Sequence, residues 1–561
     1  MKVVIIGGVA GGATAAARIR RLDERAEIVM LERTGYVSYA NCGLPYYIGG
    51  EIADEEDLTL QTPASFYARY RVDVRVHSEA LSIDRADKTV LVKNLETGET
   101  YRESYDKLLL SPGAKATVPP GARTDDARVF TLRTVEDTLA IHGFVKEHAP
   151  SRAVVIGGGF IGLELTENLM RQGVRVTLIQ RGEQVLAPLD ADMAAFLHIE
   201  LRRRGVDLRL GESFSAIETG ERLTVRTDKD AYAADFAAVA VGVSPESDLA
   251  RDARLALGFK GSIAVDAHMR TSDADIYAVG DAVEVRQSVT DERTLIALAG
   301  PANKQGRIAA DNICGGDSEY RGSQGSSVVR VFSLTAASTG INEKTARRLG
   351  LHYGKVVLSP NSHASYYPGA QVMTMKVLFE RGTDRLLGAQ IVGGEGVDKR
   401  IDVLATAIRA GMPAVALKDL DLAYAPPYSS AKDPVNMAGY LIENIVAGRV
   451  KQFHVDEADA LPRDGSVVLL DTRTPREYAR GHAEGFVNLP LDELRGRLSE
   501  VEKGKPVYVM CQSGLRSYLA CRILTQNGYD CYNFSGGYRF YDAVRRGSAQ
   551  AVQAYPCGME K

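Results

Sequence analysis

The chain of 561 residues is 45% hydrophobic and 25% charged, with a formal net charge of −4, the balance of an ordinary globular protein able to bury several cores. At ~150 residues per domain this length corresponds to roughly four domains. The near-neutral charge and the lack of a dominant lysine/arginine block argue against nucleic acid or an anionic membrane surface as partner, and no run of about 18 apolar residues suggests a membrane span.

In chain order, the opening run Lys2-Val3-Val4-Ile5-Ile6-Gly7 is expected to form a buried strand ending in a glycine turn. It lacks the long apolar stretch and small-residue cleavage site of a signal peptide, which predicts a cytoplasmic protein. The strand Val3–Ile6, the turn Gly7-Gly8-Val9-Ala10-Gly11-Gly12, a helix over Ala13–Arg20 and a strand Ile28–Leu31 ending at Glu32 follow the order of a Rossmann half. The glycines permit a tight turn and close backbone approach, and the helix N-terminus offers free N–H groups to a pyrophosphate. Glu32 stands where a carboxylate accepts hydrogen bonds from a ribose diol. Just beyond lies Ser38-Tyr39-Ala40-Asn41-Cys42-Gly43-Leu44-Pro45, and no further cysteine follows until Cys314. A redox thiol at Cys42 therefore has no neighbour for a local disulfide. Its sulfur must pair with something brought from outside: a small thiol, a persulfide or an oxygen atom.

The same design recurs as strand Ala153–Ile156, turn Gly157-Gly158-Gly159-Phe160-Ile161-Gly162, helix Leu163–Arg171 and strand Val174–Gln180. One glycine turn is a weak signal; two in one chain are a strong one. Here the neutral Gln180 replaces the acid and Arg181 can approach a 2′-phosphate, so the choice between NADH and NADPH stays open. A third element, Thr271 to Asp281, ends a strand in Gly280-Asp281 and can deliver the aspartate to a ribityl or phosphate group. From about Ser323 the texture changes to mixed strands and helices, with Val328–Phe332 and Val372–Phe379 as expected strands. A polar stretch near Gln452–Gly465 reads as a linker, and Val467–Asp471 and Val507–Met510 read as buried strands of a small α/β domain.

Cys511 follows the last of these strands and precedes an expected helix from Ser517 through Leu524. Backbone N–H groups of the Gln512–Arg516 loop can cradle an anion at that helix start, with Arg516 adding charge. A sulfur atom carried as a Cys511 persulfide would be stabilised there. A phosphatase-like loop usually has one more residue between cysteine and arginine, so the short loop favours sulfur. Of the six cysteines, Cys521 and Cys531 read as core thiols and Cys557 as a bystander in the tail. Their spacing is not that of a disulfide framework.

These motifs identify a resemblance. The first ~450 residues resemble the pyridine nucleotide-disulfide oxidoreductases, and the Ser-Tyr-x-Asn-Cys-Gly-Leu-Pro segment looks like that of the coenzyme A-disulfide reductases. The final ~100 residues resemble a rhodanese domain through Asp471-Thr472-Arg473, Gly481-His482 and Cys511-Gln512-Ser513-Gly514-Leu515-Arg516. The whole chain is thus similar to the coenzyme A-disulfide reductase/rhodanese fusions, some of which reduce persulfide or polysulfide.

The resemblance implies an α/β fold: two Rossmann-like dinucleotide-binding domains, an α+β dimerisation domain and a C-terminal rhodanese α/β domain. The expected boundaries are 1–112 and 265–322 for FAD, 113–264 for NAD(P)H and 323–450 for dimerisation. A linker at 451–463, the rhodanese domain at 464–550 and a tail at 551–561 would follow. FAD would be held by Gly7, Gly8, Ala10, Gly11, Glu32, Arg33, Gly280 and Asp281, and NADH or NADPH by Gly157, Gly159, Gly162 and Gln180. Coenzyme A would meet Thr14, Arg18, Arg21, Ser38, Asn41, Asn303 and Lys432, forming a mixed disulfide with Cys42 beside the flavin. Arginine forks at Arg18 and Arg21 suit its phosphates; solvated helix charge is the plainer reading of the same residues.

Tyr366 and Tyr424 are matched to segments that reach the active site, one from a second subunit of a homodimer, with Tyr367 and Tyr428 as the alternatives. A phenolic hydroxyl can donate to a departing thiolate. His363 is given no role, and no metal is expected. The resulting expectation is an NAD(P)H-dependent flavoenzyme acting on small thiol, disulfide or persulfide substrates through Cys42, with Cys511 handling sulfane sulfur. The alternatives are an NADH oxidase or peroxidase cycling through cysteine sulfenic acid, or a redox sensor or sulfur carrier without turnover.

Overall fold

The computed structural model describes residues 1–548; Cys557 and the tail at 551–561 lie outside the described residues. The chain divides into two compact units. One comprises Met1–Arg181 with Glu212–Gly325, and the other Gly182–Gly211 with the chain from Ser326 onward.

The first unit is built on parallel sheets. In one, the strands run in the order Ile276–Ala278, Lys107–Leu110, Lys2–Ile6, Glu27–Leu31 and Val72–Arg75, with Val3 opposite Ile28 and Ile5 opposite Leu109. Val3, Val4 and Ile5 are fully buried. That is why the strand reads as a continuous apolar run: a parallel strand covered on both faces has no polar side. The following helix, Ala10–Leu22, packs on the Ala299–Ile313 helix. Gly306 allows this approach, since a Cβ there would lie 2.3 Å from the Gly11 carbonyl oxygen. The second sheet aligns Val129–Thr131, Phe236–Val239, Arg152–Ile156 and Arg175–Gln180, all parallel. Its Phe160–Arg171 helix starts against Gly162, where a Cβ would lie 1.8 Å from the Gly157 carbonyl oxygen.

The second unit joins an antiparallel and a parallel sheet. The antiparallel sheet orders Ser327–Val331, Leu334–Gly340, Leu386–Gly393, Thr374–Glu380 and Tyr353–Leu358; the Val397–Arg409 and Pro434–Val446 helices supply much of its apolar cover. The parallel sheet orders Lys451–Phe453, Cys531–Phe534, Val507–Met510, Val468–Asp471 and Val487–Asn488. Lys451–Phe453 corrects the expectation of a linker. It pairs with Cys531–Phe534 and buries Phe453 to 1% exposure, because one inward aromatic on a short polar run suffices for an edge strand.

The Ala191–Arg203 helix lies in this unit against the Gly537–Ser548 helix. Lys376, with 0% exposure, forms ion pairs with Asp190 at 3.0 Å, Asp192 at 2.8 Å and Glu343. Its ammonium, with that of buried Lys355 at 3.0 Å from Glu343, supplies the charge that lets three carboxylates share one buried place. Among the described residues, no helix is long and apolar enough to cross a membrane.

Candidate functional site

The two glycine turns are closed in parallel ways. The Gly8 N–H donates to Glu32 Oε2 at 2.9 Å, and the Gly158 N–H donates to Gln180 Oε1 at 3.0 Å. Glu32 Oε1 also accepts from the Thr34 N–H and hydroxyl, both at 3.0 Å. A carboxylate has about four acceptor positions, so capacity remains for a ribose diol. The second turn has room for a phosphate as well: a Cβ on Gly159 would meet nothing within 4 Å among the described residues. Gly280 donates to Gln305 Oε1 at 2.8 Å, while Gln305 Nε2 is buried without a partner, a donor for an acceptor brought to this turn. Both turns therefore fit a dinucleotide. Arg33 is exposed and 3.7 Å from Glu79.

Cys42 lies in the short helical turn Asn41–Gly43, directly before the Leu44–Ile48 helix. Ser38, at φ 49°, anchors this segment: its N–H donates to the Gly8 carbonyl at 2.8 Å, and its own carbonyl accepts from Leu60 at 3.0 Å. The strained turn thus hangs the thiol from the first glycine turn. Cys42 is exposed, yet its sulfur is partly ringed by protein. That desolvation, then Glu164 and Asp281, push its pKa up, while Arg133 pulls it down.

Of these neighbours Asp281 was named from the sequence, while Glu164 and Arg133 were missed. Arg133 donates to Asp281 Oδ2 at 2.6 Å and to the Ala114 carbonyl at 3.0 Å. Tyr46 donates to Glu164 Oε1 at 3.0 Å. Tyr46 and Glu164 adjoin motifs already noticed, the cysteine segment and the second glycine helix. Arg133 carried no local signal.

Thr14 and Asn303 face each other across the two packed helices, with the Thr14 hydroxyl donating to Asn303 Oδ1 at 2.6 Å. Arg18 Nε donates to Asp311 Oδ1 at 2.7 Å, so its charge is paired within the unit and Asp311 joins this stripe. Arg21 is exposed and Asn41 half-buried, and in the other unit Lys432 is exposed. There, the Tyr366 and Tyr424 hydroxyls are 2.8 Å apart, although the residues are 74% and 46% exposed. Tyr367 instead meets His363 edge-on, with ring centroids 5.7 Å apart.

Cys511 is fully buried at the end of the Val507–Met510 strand. Its sulfur accepts from the Gly514 N–H and the Ser517 hydroxyl, each at 3.2 Å. Ser517, in the first turn of the Leu515–Gln526 helix, was not foreseen. Arg516 forks onto Glu477 with two bonds of 2.7 Å, and this bidentate pair holds the Glu477 carboxyl at about 2. Arg473 is the buried cation here: it pairs with Asp471 at 2.7 Å, donates to the Gly481 carbonyl at 2.7 Å and stacks 4.0 Å from the Tyr538 ring. Cys521 and Cys531 are in the core, where the Cys531 thiol donates to the Cys521 carbonyl at 3.2 Å.

Residues 1–306 match the pyridine nucleotide-disulphide oxidoreductase family, 326–434 its dimerisation domain and 454–543 the rhodanese-like domain. A coenzyme A disulfide reductase of Staphylococcus aureus (strain JH9) is 38% identical over 440 residues, covering 78% of this chain and 99% of that protein. The reduced Bacillus anthracis CoADR-RHD structure is 48% identical with a TM-score of 0.95, covering 97% of this chain and 98% of that one. A NAD-dependent persulfide reductase from A. fulgidus is 39% identical with a TM-score of 0.91, covering 96% and 100%. The chain therefore belongs to the pyridine nucleotide-disulphide oxidoreductase family, as an FAD-dependent enzyme that uses NAD(P)H to reduce sulfur–sulfur bonds and carries a rhodanese-like domain.

Proposed function

We propose that this enzyme reduces coenzyme A persulfide, polysulfide or coenzyme A disulfide at Cys42, with Cys511 receiving or presenting sulfane sulfur. The observation that carries this reading is the pair of thiols in opposite settings: Cys42 exposed beside the first glycine turn, and Cys511 buried under two donors to its sulfur. Whole-chain likeness to a persulfide reductase and to CoADR-RHD supports it. Gly7, Gly8, Ala10, Gly11, Glu32, Gly280 and Asp281 would hold FAD, and Gly157, Gly159, Gly162 and Gln180 would hold NADH or NADPH. When bound, FAD supplies a two-electron relay from the nicotinamide to sulfur.

The chain's own part begins with the Cys42 thiolate attacking one sulfur of the substrate bond. A mixed disulfide forms, and the other sulfur leaves with the electron pair as thiolate or hydrosulfide. The Tyr366–Tyr424 pair, whose hydroxyls meet within one chain where the expectation split them between two subunits, would be presented together by a second subunit of a homodimer and donate the proton to that leaving sulfur. Thr14, Arg18, Arg21, Ser38, Asn41, Asn303 and Lys432 would position coenzyme A, with Asp311 setting the orientation of Arg18. At Cys511, the Gly514 N–H and Ser517 hydroxyl stabilise a sulfur anion. The proposed setting is cytoplasmic.

The test is anaerobic NADH and NADPH oxidation with coenzyme A disulfide and with polysulfide, in wild type, Cys42→Ser and Cys511→Ser. Cys42→Ser should lose both activities while keeping FAD, and Cys511→Ser should lose only polysulfide turnover. Unchanged polysulfide turnover in Cys511→Ser removes the sulfur-handling role. A Cys42→Ser protein that still reduces coenzyme A disulfide removes the central assignment.

A further inference from the structure

Tyr366 and Tyr424 lie on separate loops. One runs between the Tyr353–Leu358 and Thr374–Glu380 strands, the other leads into the Pro434–Val446 helix. Two exposed phenols do not hold a 2.8 Å contact unaided, because water competes for each hydroxyl and both side chains gain freedom by parting. Something beneath them must fix the loops.

That place is taken by Arg400, 1% exposed, near the start of the Val397–Arg409 helix. On the Tyr366 side, its Nη2 donates to the Ser362 carbonyl at 3.0 Å. On the Tyr424 side, the same nitrogen donates to the Tyr428 carbonyl at 3.3 Å, the Ser429 hydroxyl at 2.9 Å and Asp433 Oδ2 at 3.0 Å. The loops are also joined directly, through the Ala364 N–H donating to the Ser429 carbonyl at 3.0 Å. Ser429 in turn donates to Asp433 Oδ2 at 2.6 Å, while Asp433 Oδ1 caps the next helix through the Val435 N–H at 3.0 Å. Arg400, Ser362, His363, Tyr424 and Tyr428 line one cavity of about 480 Å³.

We propose that Arg400, paired with Asp433, is a positioning residue that holds the Tyr366 and Tyr424 hydroxyls together as a preformed proton donor. It touches neither substrate nor reacting sulfur. Nη2 serves both loops and the carboxylate while Nη1 donates to the Gly396 carbonyl at 3.2 Å, and a lysine ammonium, with a single nitrogen on its stem, gives up that second anchor. The shared hydrogen bond raises the pKa of Tyr424, which moves the alkaline limit of the donor upward. The inference rests on the tyrosines acting as donors in the proposed reaction.

The experiment compares the full-length holoenzyme with Arg400→Lys, Asp433→Asn and the Tyr366→Phe/Tyr424→Phe double variant. Anaerobic stopped flow separates flavin reduction by NADH from reoxidation by coenzyme A disulfide across pH. Thiosulfate-to-cyanide sulfur transfer reports on Cys511 and on folding. Arg400→Lys should slow reoxidation by about tenfold or more and move the alkaline limb of its pH profile to lower pH, as Tyr424 loses its partner. Flavin reduction and sulfur transfer should stay at the wild-type rate. Asp433→Asn should do the same in milder form, a check that does not depend on Arg400→Lys folding well.

If the phenylalanine variant is slow while Arg400→Lys and Asp433→Asn match wild type, the positioning role is overturned and the tyrosine reading survives. If the phenylalanine variant matches wild type, the tyrosine reading itself falls, and the positioning role with it. A uniform loss of all three activities, or slower reoxidation without the pH displacement, assigns Arg400 to stability alone and overturns the proposal.

Discussion

Acid should loosen the contact between the Ala191–Arg203 and Gly537–Ser548 helices, and His198 sets the amount. His198 is 2% exposed. Its Nε2 accepts from the Val185 N–H at 3.1 Å, and its Nδ1 donates to the Gly547 carbonyl at 3.2 Å, which also accepts from Arg202 at 3.0 Å. The ring is therefore neutral and a proton has no place on Nε2. Burial, with Arg202 adding to it against the Gly547 carbonyl, pushes the imidazole down from 6.5 to about 4. When the helix opens, the ring regains its ordinary value. The opened form then binds the proton first as pH falls, so the contribution is complete above pH 6.5, declines as pH drops toward 4 and is gone below that. The full contribution is about 3 kcal/mol, of which about 2 kcal/mol is lost between pH 7 and about pH 5.

The assay is hydrogen exchange of the Gly537–Ser548 amides at several pH values, corrected for the intrinsic rate, which reads local opening without assuming two-state unfolding. Wild type should open roughly thirtyfold more often at about pH 5 than at pH 7. His198→Gln can keep both hydrogen bonds and cannot titrate, so its opening should lack the roughly thirtyfold acid rise that His198 supplies. His454, held down to about 3 chiefly by burial, is present in both proteins and cancels in the difference. Equal acid loosening in His198→Gln and wild type would refute the assignment.

Three other outcomes follow from geometry. Ser517→Ala removes one of the two donors to Cys511 Sγ and should lower thiosulfate-to-cyanide transfer about tenfold with coenzyme A disulfide reduction intact; an unaffected transfer rate shows that the hydroxyl contributes nothing. Gln180→Glu places a carboxylate where the amide now takes the Gly158 N–H, and should raise KM for NADPH by at least about tenfold relative to NADH; an unchanged ratio contradicts the assignment of this position to the ribose. Gly162→Ala drives a methyl to 1.8 Å from the Gly157 oxygen and should cost about 1–3 kcal/mol with slower flavin reduction by NADH. Near-native melting and kinetics in that variant would mean the helix moves aside freely.

The parts of this fold that were legible are those whose signal is local. Parallel strands buried on both faces gave continuous apolar runs at Val3–Ile6 and Ala153–Ile156, and each glycine turn lies within a few residues of its strand and helix. The helix starts were read late, at Ala13 and Leu163 instead of Ala10 and Phe160, because each six-residue glycine run was assigned wholly to the turn although its last residues already lie in the helix. Lys451–Phe453 was passed over for a related reason: a three-residue edge strand has too short an alternation to stand out. The site residues that were missed have partners far along the chain. Arg18 meets Asp311 across 293 residues, and Arg133 meets Asp281 across 148; no window of sequence contains either pair. Arg18 was legible as a cation on a helix, but the carboxylate that engages it was not.

The two thiols at the centre of the proposed reaction also differ in a way that sequence could not express. Cys511 receives two hydrogen bonds at its sulfur, whereas Cys42 stands exposed with its pKa pushed up by burial, Glu164 and Asp281. Donors aimed at the Cys511 sulfur can also engage a sulfur anion carried on it. A thiol of higher pKa is scarcer as thiolate but attacks harder once ionised. The donors at Cys511 suit a sulfur atom carried and held there, while Cys42, scarce as thiolate, depends on a cation to ionise before it attacks a sulfur–sulfur bond. Arg133 then becomes the control point for Cys42: it is the cation that favours the thiolate, and its fork is already shared with Asp281.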